Sequence, residues 1–384
     1  MSEKYVLFGA GQMGIWALEE IGTDKVIAFI DNDESKRGHE VSGIPLINLS
    51  DYCEKYNDYQ ILITSIHAPE MAGQLEAKGV KDYNIYMYRH KQYFPQDELL
   101  CDEYDKKPAA ESEEEWNQRI SEYNALAYIR TAVDHIGETP LFSHVEIETY
   151  NRCNGGCSFC PVSVKNESRP EAWMSRDLFG KIIDELSELD YDGRLAIFSN
   201  NEPFLDDRII EFHKYAREKV PKARMHLFTN GSKLTVDKLL GIIPYLDELV
   251  IDNYNKDHKL TPSNQKIYDY CMAHQELISK VSIVIRDPFE ILTSRGGDAP
   301  NRKEMKEFTG ESCLFPFQQM IIRPDGKVSL CCNDPIGKCT MGDLNNQTMK
   351  EVWYGDEFIK ARDAVRKGRE HYQHCKYCDT FGIC

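Results

Sequence analysis

Hydrophobic and polar positions alternate in two successive series along this chain, with a polar interval between them. From residue 1 to about 88, the runs YVLF, KVIAFID, IPLIN, QILITS and NIYMY read as short strands separated by helical segments. That alternation predicts a small parallel sheet covered by helices. From about 89 to 140 the chain turns polar and acidic, and KKPAAESEEEW reads as a solvated connector into the helical run WNQRISEYNALAYIRTAV. A second series follows, with strands at HVEIET (144–149), LAIFS (195–199), MHLFTN (225–230), ELVIDN (248–253) and VSIVIR (281–286). Between the first two lies SRDLFGKIIDELSEL, a helix with Leu178, Ile182, Leu186 and Leu189 on one face. Repeated strand–helix units without hairpins predict an α/β barrel, full or partial, with its chemistry at the C-terminal strand ends. Beyond about 305, QQMIIRPDGKVSLCC is a β-hairpin signature, Pro-Asp-Gly turning between two apolar runs. The expected units are 1–90, 91–140, 141–304 and 305–384.

Composition narrows the function. A formal net charge of −17 repels polyanions, so no nucleic-acid partner is expected. The start, MSEKYVLFGAG, lacks the basic segment and long apolar run of a secretory signal. No stretch approaches about 18 uninterrupted apolar residues, so no membrane span is expected and a cytoplasmic location is. Thirteen cysteines in such a chain point to metal and not to disulfides, because the cytosol keeps thiols reduced.

Three of them stand in CNGGCSFC as Cys153, Cys157 and Cys160, on the loop after the first barrel strand. A structural zinc site usually closes with four protein ligands. A [4Fe–4S] cluster likewise has four irons to ligate, so three thiolates leave one iron open. With Phe159 before the last cysteine, C-x3-C-x2-C resembles the signature of the radical S-adenosylmethionine (SAM) superfamily. The resemblance implies a partial (β/α)6 TIM-like radical SAM barrel and a catalytic [4Fe–4S] cluster on those three cysteines. SAM would chelate the open iron, be cleaved by one electron, and give a 5′-deoxyadenosyl radical that takes a substrate hydrogen atom. The resemblance also implies SAM contacts from Phe159 and from Glu202 in SNNEPF, where Asn200 and Asn201 replace the family's glycines. Asn230 and Asn253 fall where the family places ribose contacts, and Arg286 ends the fifth strand as a bidentate partner for the SAM carboxylate. The alternative readings are a zinc knuckle for the cysteines and buried structural roles for the polar residues.

Seven of the thirteen cysteines lie in the tail. Cys313, then Cys331 five positions after Gly326, then Cys375-x2-Cys378 resemble the auxiliary-cluster domains called SPASM, in their shortened one-cluster "twitch" form. The resemblance implies one auxiliary [4Fe–4S] cluster on Cys313, Cys331, Cys375 and Cys378; C-x2-C is also a zinc spacing. Cys332 points away from Cys331 if both lie on a strand, and Cys332, Cys339 and Cys384 are left over. His371 and His374 read as surface residues.

At the other end, Gly9-x-Gly11-x-x-Gly14 follows a strand and opens a helix, with Asp31 at the end of the second strand. That is the context of a dinucleotide-phosphate loop. The segment 4–88 resembles the Rossmann-like nucleotide-sugar-binding domain of sugar acyltransferases, which implies a nucleotide near Gly9, Gly11, Gly14 and Asp31. Its alternative role is docking or dimer stabilisation.

The expected function is radical SAM oxidation or epimerisation of a sugar, aminosugar or cyclitol, with reduced flavodoxin or ferredoxin as electron donor. Modification of a ribosomal peptide is the second reading. An iron–sulfur carrier or a nicotinamide-dependent oxidoreductase are readings of other classes.

Overall fold

The computed structural model describes residues 4–36, 38–87, 93–94, 97–102, 125–302 and 308–380. The acidic connector at 106–116, the first half of the helical run after it, and Cys384 lie outside the described residues.

Strands β1 (Tyr5–Phe8), β2 (Val26–Ile30), β3 (Glu40–Val41), β4 (Ile44–Ile47), β5 (Gln60–Ile63) and β6 (Tyr83–Ile85) form one sheet, in the order β3-β4-β2-β1-β5-β6. All its pairings are parallel except the short β3–β4 hairpin. Helices α1 (Gln12–Ile21) and α2 (Ala68–Ala77) connect its strands. Val6, Leu7 and Phe8 are fully buried, as a central strand covered on both faces requires. Helix α3 (Ala125–His135) bridges this sheet and the tail. Its Tyr128 hydroxyl donates to the Tyr86 carbonyl, while Arg366 donates back to the carbonyls of Val133 (2.6 Å) and Ile136 (2.9 Å).

The second sheet contains β7 (Leu100–Cys101), β8 (His144–Ile147), β9 (Arg194–Ala196), β10 (Arg224–Thr229), β11 (Glu248–Tyr254) and β12 (Val281–Arg286). The tail adds β13 (Gln319–Ile322), β14 (Lys327–Ser329) and β15 (Thr340–Asp343). The order is β15-β14-β13-β8-β9-β10-β11-β12-β7, parallel from β13 to β7. The partial α/β barrel expected from the sequence is present. Two of its strands come from elsewhere in the chain. The strand beyond β12 is Leu100–Cys101, from ahead of the barrel, paired with Ile283 and Val284. The tail hairpin turns at Pro324-Asp325-Gly326 as expected, yet its first strand also lies parallel to β8, with Gln319 opposite His144. The tail thereby prolongs the barrel sheet.

Helix α4 (Arg176–Glu188) starts where Ser175 Oγ accepts the Leu178 N–H at 3.1 Å, and it buries Leu178, Phe179, Ile182, Ile183 and Leu186. Among the described residues no helix is long and apolar enough to cross a membrane.

Register sets the barrel interior. His144 faces Arg194, Glu146 faces Ala196, and His226 lies between Ala196 and Glu248 on neighbouring strands. A barrel of this type normally fills with bulky branched side chains. Here the inner layer carries His144, Glu146, Arg194, His226 and Glu248, all buried. Polar groups inside a barrel are stabilised only by partners or a ligand.

Candidate active site

The loop after β8 carries Cys153, Cys157 and Cys160 to the rim of a cavity of about 320 Å³ inside the barrel mouth. Phe159, Glu202 and Asn230 line the same cavity. Burial, joined by the charges of Glu202 and Cys160, pushes the Cys153 thiol up to about 12. Burial and the charges of Cys160 and Cys153 push Cys157 up to about 12 as well. Such thiols stay protonated unless a cationic centre gathers them. The loop leaves room for one: a Cβ on Gly155 would sit 3.3 Å from Cys153 Sγ and 3.9 Å from Cys157 Sγ. Among the described residues no three Cys, His, Asp or Glu side chains close on a point as ligands of a single ion do. The thiols stand around a shared cavity instead, and as a donor set they fit an iron–sulfur cluster.

Glu202 is 1% exposed. Its Oε1 accepts from Thr229 Oγ1 (2.6 Å) and Phe204 N (3.1 Å), and its Oε2 from Asn230 N (2.8 Å). It thus ties the loops after β9 and β10 together, and burial raises its pKa. Asn253 and Arg286 are placed off the cavity wall. The Asn253 side chain accepts from Thr261 N (2.9 Å) and donates to the Lys259 carbonyl (3.0 Å). Arg286 Nε donates to Asp252 Oδ1 at 3.3 Å, and Asp252 itself reaches the cavity.

Of the residues that brace and complete this site, sequence reading noted Asn200, as a replacement for a family glycine, and Cys332, as a left-over thiol, but not Arg169, Ser199 or Arg295. Arg169 is the brace: its guanidinium donates to both Glu148 oxygens (2.9 and 3.1 Å), to Glu167 (2.8 Å), and to the carbonyls of Asn151 and Asn200. Across the cavity from the cysteine loop stand Glu146, Ser199, Asn200, Arg295 and Cys332. Burial pushes Glu146 up to about 7, against the Ser199 hydroxyl that donates to it at 2.5 Å and the charges of Arg295 and Arg194. Arg295 donates to Asn200 Oδ1 and to the Cys332 carbonyl at 3.1 Å. It does so from a left-handed backbone (φ +52°), followed by Gly296 at φ +66°, where a Cβ would meet His374 Nε2 at 2.5 Å. One signal was present in the sequence: HVEIET places His144, Glu146 and Glu148 on one face of a strand.

Cys313, Cys331, Cys375 and Cys378 border a second, smaller pocket with Arg369 and His374. Burial raises Cys313, Cys331 and Cys375, and neighbouring thiols add to it for Cys331 and Cys375. Burial alone would lower Arg369; the charges of Cys313, Cys378, Cys375 and Cys331 overcome it and hold the guanidinium charged. A buried cation beside four thiols fits an anionic thiolate-bound cluster. Cys332 does turn away from Cys331, into the barrel cavity. His371 is half-exposed, but His374 is buried, a correction to the surface reading. The C-x2-C loop folds inward, and His374 Nε2 pairs with the Asn333 carbonyl at 2.9 Å.

In the first sheet, Gly9, Gly11, Gly14 and Asp31 meet at the C-terminal ends of β1 and β2. A Cβ on Gly14 would lie 2.1 Å from the Gly9 carbonyl oxygen, so the helix packs that closely only with glycine. Asp31 accepts from Ala10 N (3.2 Å) and pairs with Lys36 (3.0 Å).

Residues 147–255 match the radical SAM superfamily, and residues 313–379 match the SPASM iron–sulfur cluster-binding domain. The chain thus carries a radical SAM domain and a C-terminal iron–sulfur cluster-binding domain, and the two matches together imply SAM and two [4Fe–4S] clusters. Over 250 residues it is 28% identical to the S-adenosyl-L-methionine-dependent 2-deoxy-scyllo-inosamine dehydrogenase of Niallia circulans, spanning 63% of this chain and 95% of the relative. The crystal structure of BtrN in complex with AdoMet and 2-DOIA superposes with a TM-score of 0.55 at 26% identity, over 63% of this chain and 95% of that one. BtrN in an open conformation gives 0.48 at 23% identity, over 63% and 94%.

Proposed function

We propose that this enzyme oxidises a secondary alcohol of an aminocyclitol or a related sugar-like ring to the ketone. One observation carries the reading: a single cavity joins the three-cysteine loop to the buried Glu146 and its half-buried neighbours Ser199 and Arg295. When bound, SAM and the two clusters supply radical abstraction of a hydrogen atom and an acceptor for the electron left on the substrate. The chain's own groups do the rest. Glu146, with a carboxyl near neutrality, takes the hydroxyl proton. Arg295 and Asn200 hold the ring's polar substituents. Phe198 and Phe228, stacked 5.5 Å apart, offer a flat wall to its C–H face.

Similarity to a 2-deoxy-scyllo-inosamine dehydrogenase supports the substrate class. Reduced flavodoxin or ferredoxin in the cytoplasm is the proposed electron source. A nucleotide, free or sugar-linked, is proposed for the Gly9–Gly14 loop, to be checked by calorimetry on wild type and Asp31→Ala.

Epimerisation is a second reading, favoured by the half-buried Cys332 on the cavity wall, whose thiol is kept protonated by its surroundings of low polarity. The test is anaerobic turnover of 2-deoxy-scyllo-inosamine with SAM and dithionite in deuterated water. Ketone and 5′-deoxyadenosine in equal amounts support oxidation; deuterium on a recovered, inverted carbon supports epimerisation. Neither product, while 5′-deoxyadenosine forms, removes this substrate class.

A further inference from the structure

The base of the cavity is closed by a residue from outside the barrel. Tyr93 belongs to the stretch between the two sheets, yet it lines the same cavity as Cys153, Cys157 and Cys160. Its backbone N–H donates to the Glu248 carboxylate at 2.8 and 3.1 Å, and the next N–H, of Phe94, donates to the same group at 3.2 Å. The Arg194 guanidinium lies over the Tyr93 ring at 3.9 Å, and Phe228 meets it edge-on at 4.7 Å. Seven residues later the chain enters the barrel sheet as β7, and Cys101 packs with Val250 and Val284 beneath Tyr93 and Phe94. The ring is therefore fixed from three sides: by an ion-assisted backbone anchor, a cation on its face, and a strand just downstream. Beside it His226 is 3% exposed and lines the cavity, its Nδ1 without a hydrogen-bond partner among the described residues.

We propose that Tyr93 is the specificity-determining floor of the substrate cavity. Its ring sets the depth, so that one carbohydrate-like ring fits with its C–H face on Phe198 and Phe228. The proposal rests on the functional reading above and adds to it a size limit imposed by the connector. The polar wall of Glu146, Ser199 and Arg295 fixes which group reacts; Tyr93 fixes how large the rest of the molecule can be.

The test is anaerobic calorimetry on SAM-loaded holoenzyme, with 2-deoxy-scyllo-inosamine and the same cyclitol bearing one glucosaminyl group as probes. Tyr93→Phe keeps the ring and is expected to bind both as wild type does. Tyr93→Ala is expected to bind the small probe about tenfold more weakly and to bind the larger one more tightly than wild type does. Tyr93→Trp fills the floor further and is expected to weaken both. Iron content and thermal midpoint identify a variant that fails to fold, in which case Tyr93→Phe against Tyr93→Trp decides. Binding of both probes within about twofold of wild type by every folded variant overturns the proposal. If wild type binds neither cyclitol, the functional reading fails and the floor is read without substrate. Tyr93→Ala should then release 5′-deoxyadenosine several-fold faster than wild type, because an open floor admits water and reductant. Equal rates would overturn the proposal.

Discussion

Glu146 shows how much a single buried carboxyl contributes here. Burial moves it up to about 7 from an ordinary value of 4.5, so the folded enzyme holds its proton more tightly than the unfolded chain does. Its contribution to stability is therefore fullest below about 4.5 and is lost as pH rises through about 7. Catalysis needs the opposite form, the carboxylate. Product formation is expected to rise about tenfold per pH unit below 7 and to level off above it. Glu146→Gln should abolish that rise and be more stable than wild type at pH 8. A pH–rate profile unchanged by Glu146→Gln would remove the proton-acceptor role. Nothing local in HVEIET gives the shift: it comes from burial inside the barrel, opposed by Ser199, Arg295 and Arg194, each distant in sequence. The cysteine loop was legible because its spacing is local. Arg295 was not, since what marks it is a left-handed turn packed on His374.

Elements place these residues through a few buried ties. The Arg169 and Glu148 side chains are almost fully buried, so Arg169→Met leaves the Glu148 carboxylate without its paired cation and Glu167 with Arg152 alone, at 4.0 Å. The expected loss is about 3–5 kcal/mol, read from the guanidinium chloride midpoint, with weaker cluster retention because the same side chain holds the loop carbonyls. A loss below about 1 kcal/mol would show that the loop is held by other means. Gly296→Ala is expected to weaken activity with little change in iron content, because a methyl there collides with His374 and displaces Arg295. The helix at Arg176–Glu188 was readable from its periodicity. Leu100–Cys101 was not, because two residues carry no period and their strand identity comes wholly from pairing with β12. The parallel docking of the hairpin on β8 was equally invisible, since a hairpin signature fixes its turn and not its neighbour.

At the scale of the molecule, two parallel sheets are joined by a helix and a connector, and one of them carries two thiol sets. The alternation of strands and helices revealed both sheets; no pattern in the sequence revealed that Tyr93 and Leu100–Cys101 enter the barrel from ahead of it. The central claim is that the two thiol sets each hold a four-iron cluster and that the barrel set is the catalytic one. Anaerobic iron, sulfide and zinc quantification on wild type and on the Cys153/Cys157/Cys160 triple alanine variant tests it most directly. About eight irons in wild type, falling to about four in the variant with all SAM cleavage lost, is the predicted result. About four irons in wild type with zinc in the tail would contradict it, leaving the substrate's electron without an acceptor in Cys313, Cys331, Cys375 and Cys378.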